Sequence, residues 1–201
     1  MPTPENGGDW GILGGSFDPI HRGHLNLASR IRSQKNLSGV FMIPSFRHPF
    51  KNACHASFED RVEMLRLAIA GNDHFIISEI EKEINLPGYT LSTIRALKKK
   101  YPQVSFFFIM GQDNLIELNR WHKPDEILSE TKILVGCRPP HDPNTISGFP
   151  ADRIELVETT TMNASSTQIR ELLRSNVPPE KLNTMIPDAV REYILTRGLY
   201  Q

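Results

Sequence analysis

The chain has 201 residues and balances 23 Lys plus Arg against 23 Asp plus Glu, for a net charge of zero at pH 7; this excludes a nucleic-acid tail or a membrane-binding face and makes any basic site local. The length suits one sizeable domain, and a second full one would be a squeeze. Cys54 and Cys137 stand in no CxxC or metal-like spacing, the first nine residues do not read as an export signal, and no long apolar run occurs; the chain is expected in the cytoplasm, without disulfides, structural zinc or a membrane span.

Trp10 to Leu13 is a short apolar segment, followed by Gly14-Gly15-Ser16-Phe17-Asp18-Pro19-Ile20-His21-Arg22-Gly23-His24 and then by Leu25, Leu27, Ala28 and Ile31 in a helix-like pattern. Together they predict strand, glycine turn and helix. Gly14 and Gly15 lack a Cβ, so the backbone there can turn sharply and bring its N–H groups close to an oxygen-rich ligand. His21 and His24 fall on one face of the first helical turn, where free N–H groups and the dipole favour an anion such as phosphate. Asp18-Pro19 fits a helix start, with Asp18 a cap candidate. The run has no loop lysine and no third spaced glycine, so it is neither a phosphate loop of the GxxxxGK[ST] type nor a redox dinucleotide fingerprint.

The helix should fade near Lys35 and Asn36. Val40 to Ile43, ended by Pro44, predicts a buried strand. Ser45 to Asn52 is then a basic, aromatic, proline-stiffened loop at that strand's end, where open α/β sheets hold ligands, although ordinary surface connections share its composition. Ser57 opens a helix with an acid three residues on; Val62, Leu65, Leu67, Ala68 and Ile69 form its core face and Arg61 and Arg66 its solvated side. His74 to Ser78 predicts a third strand, and Glu79 to Glu83 a solvated edge. Thr90 reads as the cap of a helix from Leu91 to Lys100.

Val104 to Met110, apolar almost throughout, predicts a central parallel strand covered on both faces. Gly111-Gln112-Asp113-Asn114 follows, then a short helix through Leu115 and Leu118 to Trp121, which reads equally as core packing. Lys123 to Leu128 begins another helix, Ile133 to Gly136 a fifth strand, Arg138 to Pro150 a long loop, and Ile154 to Val157 a further strand. Asn163 to Arg170 starts a helix whose hydroxyls can cap it; Arg170, one turn inside, lies where a cation and open N–H groups can hold the same anion. Pro178 to Gln201 predicts two short helices. Strands alternating with helices, without hairpin signals, predict an α/β fold, a Rossmann-like doubly wound parallel sheet with its ligand at the strand C-termini. Residues 1–201 form a single domain in this reading, 163–201 being a small C-terminal helical part.

Gly14 to Pro19 followed by His21-x-Gly23-His24 resembles the signature of the nucleotidyltransferase superfamily that includes the nicotinate mononucleotide, nicotinamide mononucleotide and pantetheine-phosphate adenylyltransferases. The likeness is carried further by His48-Pro49-Phe50-Lys51 where nicotinate mononucleotide enzymes have Pro-Pro-His-Lys, and by Tyr89-Thr90, Gly111-x-Asp113 and Trp121. Ala164-Ser165-Ser166-Thr167-Gln168-Ile169-Arg170 matches the family's ISSTxIR element except at Ala164, and Ile186 to Tyr200 resembles its usual ending.

The resemblance implies that His21 and His24 lie against the phosphates of ATP, beside Gly14, Gly15, Ser16 and Phe17. It implies that Ser165, Ser166, Thr167 and Arg170 grip the triphosphate and the adenosine end. The acceptor would meet Lys51, with His48 as a displaced substitute for the family's histidine. Tyr89, Thr90 and Asp113 would join it, with Trp121 stacking on the pyridine ring and His122 offering its backbone N–H. His21, His24, Lys51 and Arg170 would be catalytic. The implied reaction transfers AMP from ATP to nicotinate mononucleotide, giving deamido-NAD and pyrophosphate in NAD biosynthesis. Mg²⁺ would accompany ATP without a protein ligand. Nicotinamide mononucleotide, as sole or second acceptor, and a nucleotide-sensing module without turnover are the alternatives; two intact phosphate-binding elements argue against the sensor. Oligomeric state is left open, a homo-oligomer included.

Overall fold

In the computed structural model, which describes residues 3–46, 54–85, 88–137, 148–160, 164–175 and 179–201, the apolar runs form one six-stranded sheet. Its strands are β1 (Gly8–Gly15), β2 (Gly39–Pro44), β3 (Phe75–Ile77), β4 (Val104–Gly111), β5 (Lys132–Cys137) and β6 (Ile154–Glu158). Their order is β3-β2-β1-β4-β5-β6, and every neighbouring pair is parallel. Burial on both faces explains why these segments read as unbroken apolar runs: all of β2 is buried, and Ile12 sits between Phe41 and Phe108 in register.

The helices divide between the two faces. Helices α1 (Arg22–Gln34), α2 (Phe58–Ile69), α7 (Ser166–Arg174) and α8 (Asp188–Arg197) share a core with Leu13, Val40, Met42 and Ile109. On the other face α3 (Ile80–Glu83), α4 (Thr90–Lys100), α5 (Gln112–Ile116) and α6 (Pro124–Glu130) pack with Trp10, Ile12, Phe41, Phe106 and Phe108. Trp10 and Ile12 thus point to one layer and Leu13 to the other, as strand alternation requires. The chain runs outward from β1 through β2 to β3, then returns to lay β4 against the free side of β1. A crevice opens at such a reversal, beyond the strand C-termini, and there the fold can take a ligand between layers.

The C-terminal segment closes over the α1–α2 layer. Helix α8 follows Pro187 and stops at Gly198, which takes a left-handed φ of 60°. Tyr193 donates from its hydroxyl to Asp60 on α2 at 2.8 Å, and Arg197 approaches the same oxygen at 3.3 Å. No helix among the described residues is long and apolar enough to cross a membrane.

Candidate active site

At the end of β1 the geometry differs from the glycine turn read from the sequence. Gly14 and Gly15 continue the strand, paired with Ile43 and Pro44, and the left-handed residue is Phe17, with φ 47°. What the glycines contribute is space, since a Cβ on Gly14 would meet nothing within 4 Å. The Phe17 ring is fully buried and meets His24 edge-on at 5.1 Å, so Phe17 supports the site from below and offers a ligand only its backbone.

Helix α1 begins one residue after His21, which is its N-cap in place of Asp18. The two imidazoles stack with centroids 3.7 Å apart and planes 25° from parallel, and the His21 backbone N–H donates to His24 Nδ1 at 3.3 Å. A neutral imidazole that accepts at Nδ1 carries its proton on Nε2, so His24 is set as an Nε2–H donor. Burial pushes the His21 pKa down to about 4, and burial together with neighbouring His21 holds His24 well below the ordinary histidine range. Both rings are therefore neutral at pH 7. Gly23 makes the stack fit, because a Cβ there would lie 2.9 Å from His21 Nδ1. The open helix terminus is narrower than its sequence suggests, since the Arg22 N–H already donates to Met185 O at 2.7 Å.

The start of α7 is brought against this corner by its own polar groups. Ser165 is the N-cap and accepts from the Gln168 N–H at 3.1 Å; Ser166 donates to Pro19 O at 2.9 Å. Arg170 donates to Asp18 O at 2.6 Å and to Thr167 Oγ1 at 3.2 Å, while its Nε is buried without a partner among the described residues. Ser166 and Arg170, both predicted to hold triphosphate, thus fasten α7 to the Asp18–Pro19 turn.

Asp18 is the hub of that turn. It is 3 % exposed, and its carboxylate accepts from the N–H groups of His55 (2.8 Å) and Ala56 (3.1 Å) and from the Tyr200 hydroxyl (2.8 Å). Burial opposes its charge, but the donors from His55, Tyr200 and Ala56 outweigh that and bring its pKa below the ordinary value.

Two charged residues missed in the sequence hold the strand ends together. Arg61, read as solvated, is 2 % exposed and bridges the loops after β1 and β2 by donating to Ser16 O at 2.7 Å and Ser45 O at 2.9 Å. Its spacing on α2 gave the signal: residue 61 falls beside the apolar stripe of Phe58, Val62 and Leu65. Glu81, read as part of a solvated edge, is buried in α3 and accepts from the Phe46 N–H at 3.0 Å and the Thr93 hydroxyl at 2.9 Å. Burial raises its pKa despite those bonds and nearby Arg61. Both residues fix the chain just before residues 47–53. Lys51 and His48 lie outside the described residues.

The predicted acceptor residues collect at the end of β4, the strand beside β1. Tyr89 and His122 stack with centroids 4.3 Å apart and planes 23° from parallel. Trp121 is half-buried and meets Phe108 edge-on at 6.0 Å, so it both packs and presents ring surface. Thr90 opens α4 behind its N-cap Tyr89, one position earlier than predicted. Asp113 is exposed in the first turn of α5, directly after Gly111 at the end of β4. The site residues thus form two groups, a polar corner at β1 and an aromatic group at β4, across the reversal of strand order.

Residues 12–172 match the cytidylyltransferase-like family. The chain is 37 % identical over 198 residues to the probable nicotinate-nucleotide adenylyltransferase of Rubrobacter xylanophilus, covering 95 % of this chain and 91 % of that one. It is 36 % identical over 192 residues to the nicotinate-nucleotide adenylyltransferase of Bacillus subtilis, covering 95 % and 97 %. The chain belongs to the nicotinate-nucleotide adenylyltransferase family. The family fold is seen in the Plasmodium falciparum nicotinic acid mononucleotide adenylyltransferase complexed with NaAD, similar with a TM-score of 0.82 over 96 % of this chain and 97 % of that one at 19 % identity. The cytidylyltransferase-like match spans both groups of site residues, from β1 to the Arg170 turn.

Proposed function

We propose that this chain transfers AMP from ATP to nicotinate mononucleotide. A 5′-phosphate oxygen of the acceptor attacks the α-phosphorus; the new O–P bond forms as the bond to the β-phosphate bridging oxygen breaks, giving deamido-NAD and pyrophosphate. A phosphate dianion needs no base to become a nucleophile, so the protein's task is alignment and stabilisation of charge spread over oxygens. The observation that carries the reading is the stacked, neutral His21–His24 pair beside the α7 terminus. His24 offers an N–H without adding a mobile proton, and the opening above Gly14 leaves room for phosphate.

In this assignment Gly14, Gly15 and Ser16 line the floor, with His21, His24 and Arg170 on the transferring phosphates and Ser165, Ser166 and Thr167 at their rim. Lys51, outside the described residues, is assigned to the cationic set by the family resemblance alone. Tyr89, Trp121 and His122 take the pyridine ring, with Thr90 and Asp113 at its edge, and His48 is assigned to the acceptor as well. Nucleotide substrates arrive with a divalent cation, assigned here as Mg²⁺, which offsets polyphosphate charge. Asp18 is the corner's buried carboxylate and its oxygens are occupied by His55, Ala56 and Tyr200; among the described residues no three metal-ligating side chains gather. The ion is assigned to the phosphates of ATP and to water. The two free cysteines fit a reducing cytoplasm.

Isotope position tests the bond broken. ATP labelled at the α-phosphate should put its label in the dinucleotide, and ATP labelled at the γ-phosphate should release it as pyrophosphate. Release of labelled orthophosphate would contradict the assignment.

A further inference from the structure

The residue before the chain's last, Tyr200, takes a left-handed φ of 68° and is 7 % exposed. A non-glycine residue holds that conformation only where its surroundings over-determine it. Here the ring is packed in the core and its hydroxyl donates to Asp18 at 2.8 Å, joining residues 182 apart in sequence. Asp18 in turn touches three parts of the site. Its carboxylate orders the backbone at His55 and Ala56, where the chain emerges from residues 47–53; its carbonyl receives Arg170; and the next carbonyl, of Pro19, receives Ser166.

We propose that Tyr200 is a positioning residue for the transferase site: by fixing the Asp18 carboxylate, it sets the Asp18–Pro19 turn on which both the α7 terminus and the chain after residue 53 are registered. The inference rests on the transferase reading for its consequence and on geometry for its cause. The groups facing this pair are His55, whose Nδ1 lies 3.3 Å from Asp18, together with Arg170 from α7 and Arg61 from α2. The hydroxyl is held protonated, burial and the Asp18 charge both raising its pKa, so it acts as a fixed donor. Tyr200 does not reach the reacting atoms in this role. It acts through Asp18.

Tyr193 provides the control, since it too donates a phenol hydrogen bond of 2.8 Å from the C-terminal segment, but to Asp60. Tyr200→Phe and Tyr193→Phe are compared in the full chain by hydrogen exchange of the free protein, ATP Kd, and kcat for pyrophosphate release. Tyr200→Phe is expected to speed exchange across residues 54–57 and 164–170, and to weaken ATP binding and lower kcat by about tenfold each, as a small misplacement of aligned groups does. Its acid limb of kcat should move to higher pH, because Asp18 has lost a donor that favours its charged form. Tyr193→Phe should lose similar thermal stability with Kd and kcat within about twofold of wild type. Unchanged exchange in Tyr200→Phe, or the same Kd and kcat in both variants, overturns the proposal. A wild-type chain that releases no pyrophosphate would refute the transferase reading alone, and the exchange comparison would still decide the role of Tyr200.

Discussion

The backbone N–H of His21 donates to Nδ1 of His24, under a stack in which the two imidazoles sit 3.7 Å apart. This one bond settles the state of His24: the accepting nitrogen cannot carry the proton, so Nε2 does. Burial keeps the pair uncharged, and a second proton would place like charges in contact.

Neither His21 nor His24 should titrate near pH 6.5 in the free protein. Because folding lowers both pKa values, the unfolded chain binds more protons below 6.5, and stability is lost as pH falls from there, for His21 down to about 4. For His21 the loss is on the order of 3 kcal/mol at the lower end. Imidazole NMR signals followed with pH, beside denaturant melts at pH 7 and 4.5, check this. Midpoints near 6.5 for both rings would contradict it.

Because His24 acts through Nε2–H, glutamine should replace it better than asparagine, whose amide reaches only as far as Nδ1. His24→Ala and His21→Ala are expected to lower kcat by about 10²–10³-fold, the usual consequence of removing one charge-stabilising donor. His24→Gln should recover part of that loss and His24→Asn none. Melting temperatures taken alongside separate catalysis from folding, and an unchanged kcat in both alanine variants would remove the histidines from the mechanism.

Gly23→Ala isolates the stack. In a helix this change alone should stabilise by up to about 1 kcal/mol, but the new methyl would press on His21 Nδ1 and Cε1 at 2.9 and 3.0 Å. Displacement of the ring should win. We expect kcat reduced by about tenfold or more with little change in acceptor KM, measured by steady-state kinetics.

Trp121→Ala should act on the other substrate. Base or pyridine stacking is worth about 1–3 kcal/mol, so acceptor KM should rise by roughly 5- to 100-fold with ATP KM unchanged. An unaltered acceptor KM would return Trp121 to its packing against Phe108.

Arg61→Lys tests the bridge between strand ends. An ammonium lacks the planar fork that reaches Ser16 O and Ser45 O together. A loss of about 1–3 kcal/mol in denaturant unfolding is expected, and wild-type stability would show that the bridge carries no load.

The fold was legible because parallel strands covered on both faces leave apolar runs between helical periods, and all six runs became strands in the expected layout. The His21-x-Gly23-His24 corner was legible because its parts are adjacent in sequence. Asp18 was not: its partners His55, Ala56 and Tyr200 are remote, so it resembled a helix cap. Arg61 and Glu81 looked solvated because charge usually marks a surface, and their partners include backbone groups of Ser16, Ser45 and Phe46, which no side-chain pattern announces. The glycine turn moved to Phe17 for a related reason, since glycine permits a left-handed residue without requiring one.

The most direct measurement is pyrophosphate release with ATP and Mg²⁺, offering nicotinate mononucleotide, nicotinamide mononucleotide and phosphopantetheine separately at equal concentration. The account predicts release that is fastest with nicotinate mononucleotide and stoichiometric with deamido-NAD. Release with only another acceptor would contradict the acceptor assignment, and ATP binding without release with any acceptor would contradict the enzyme.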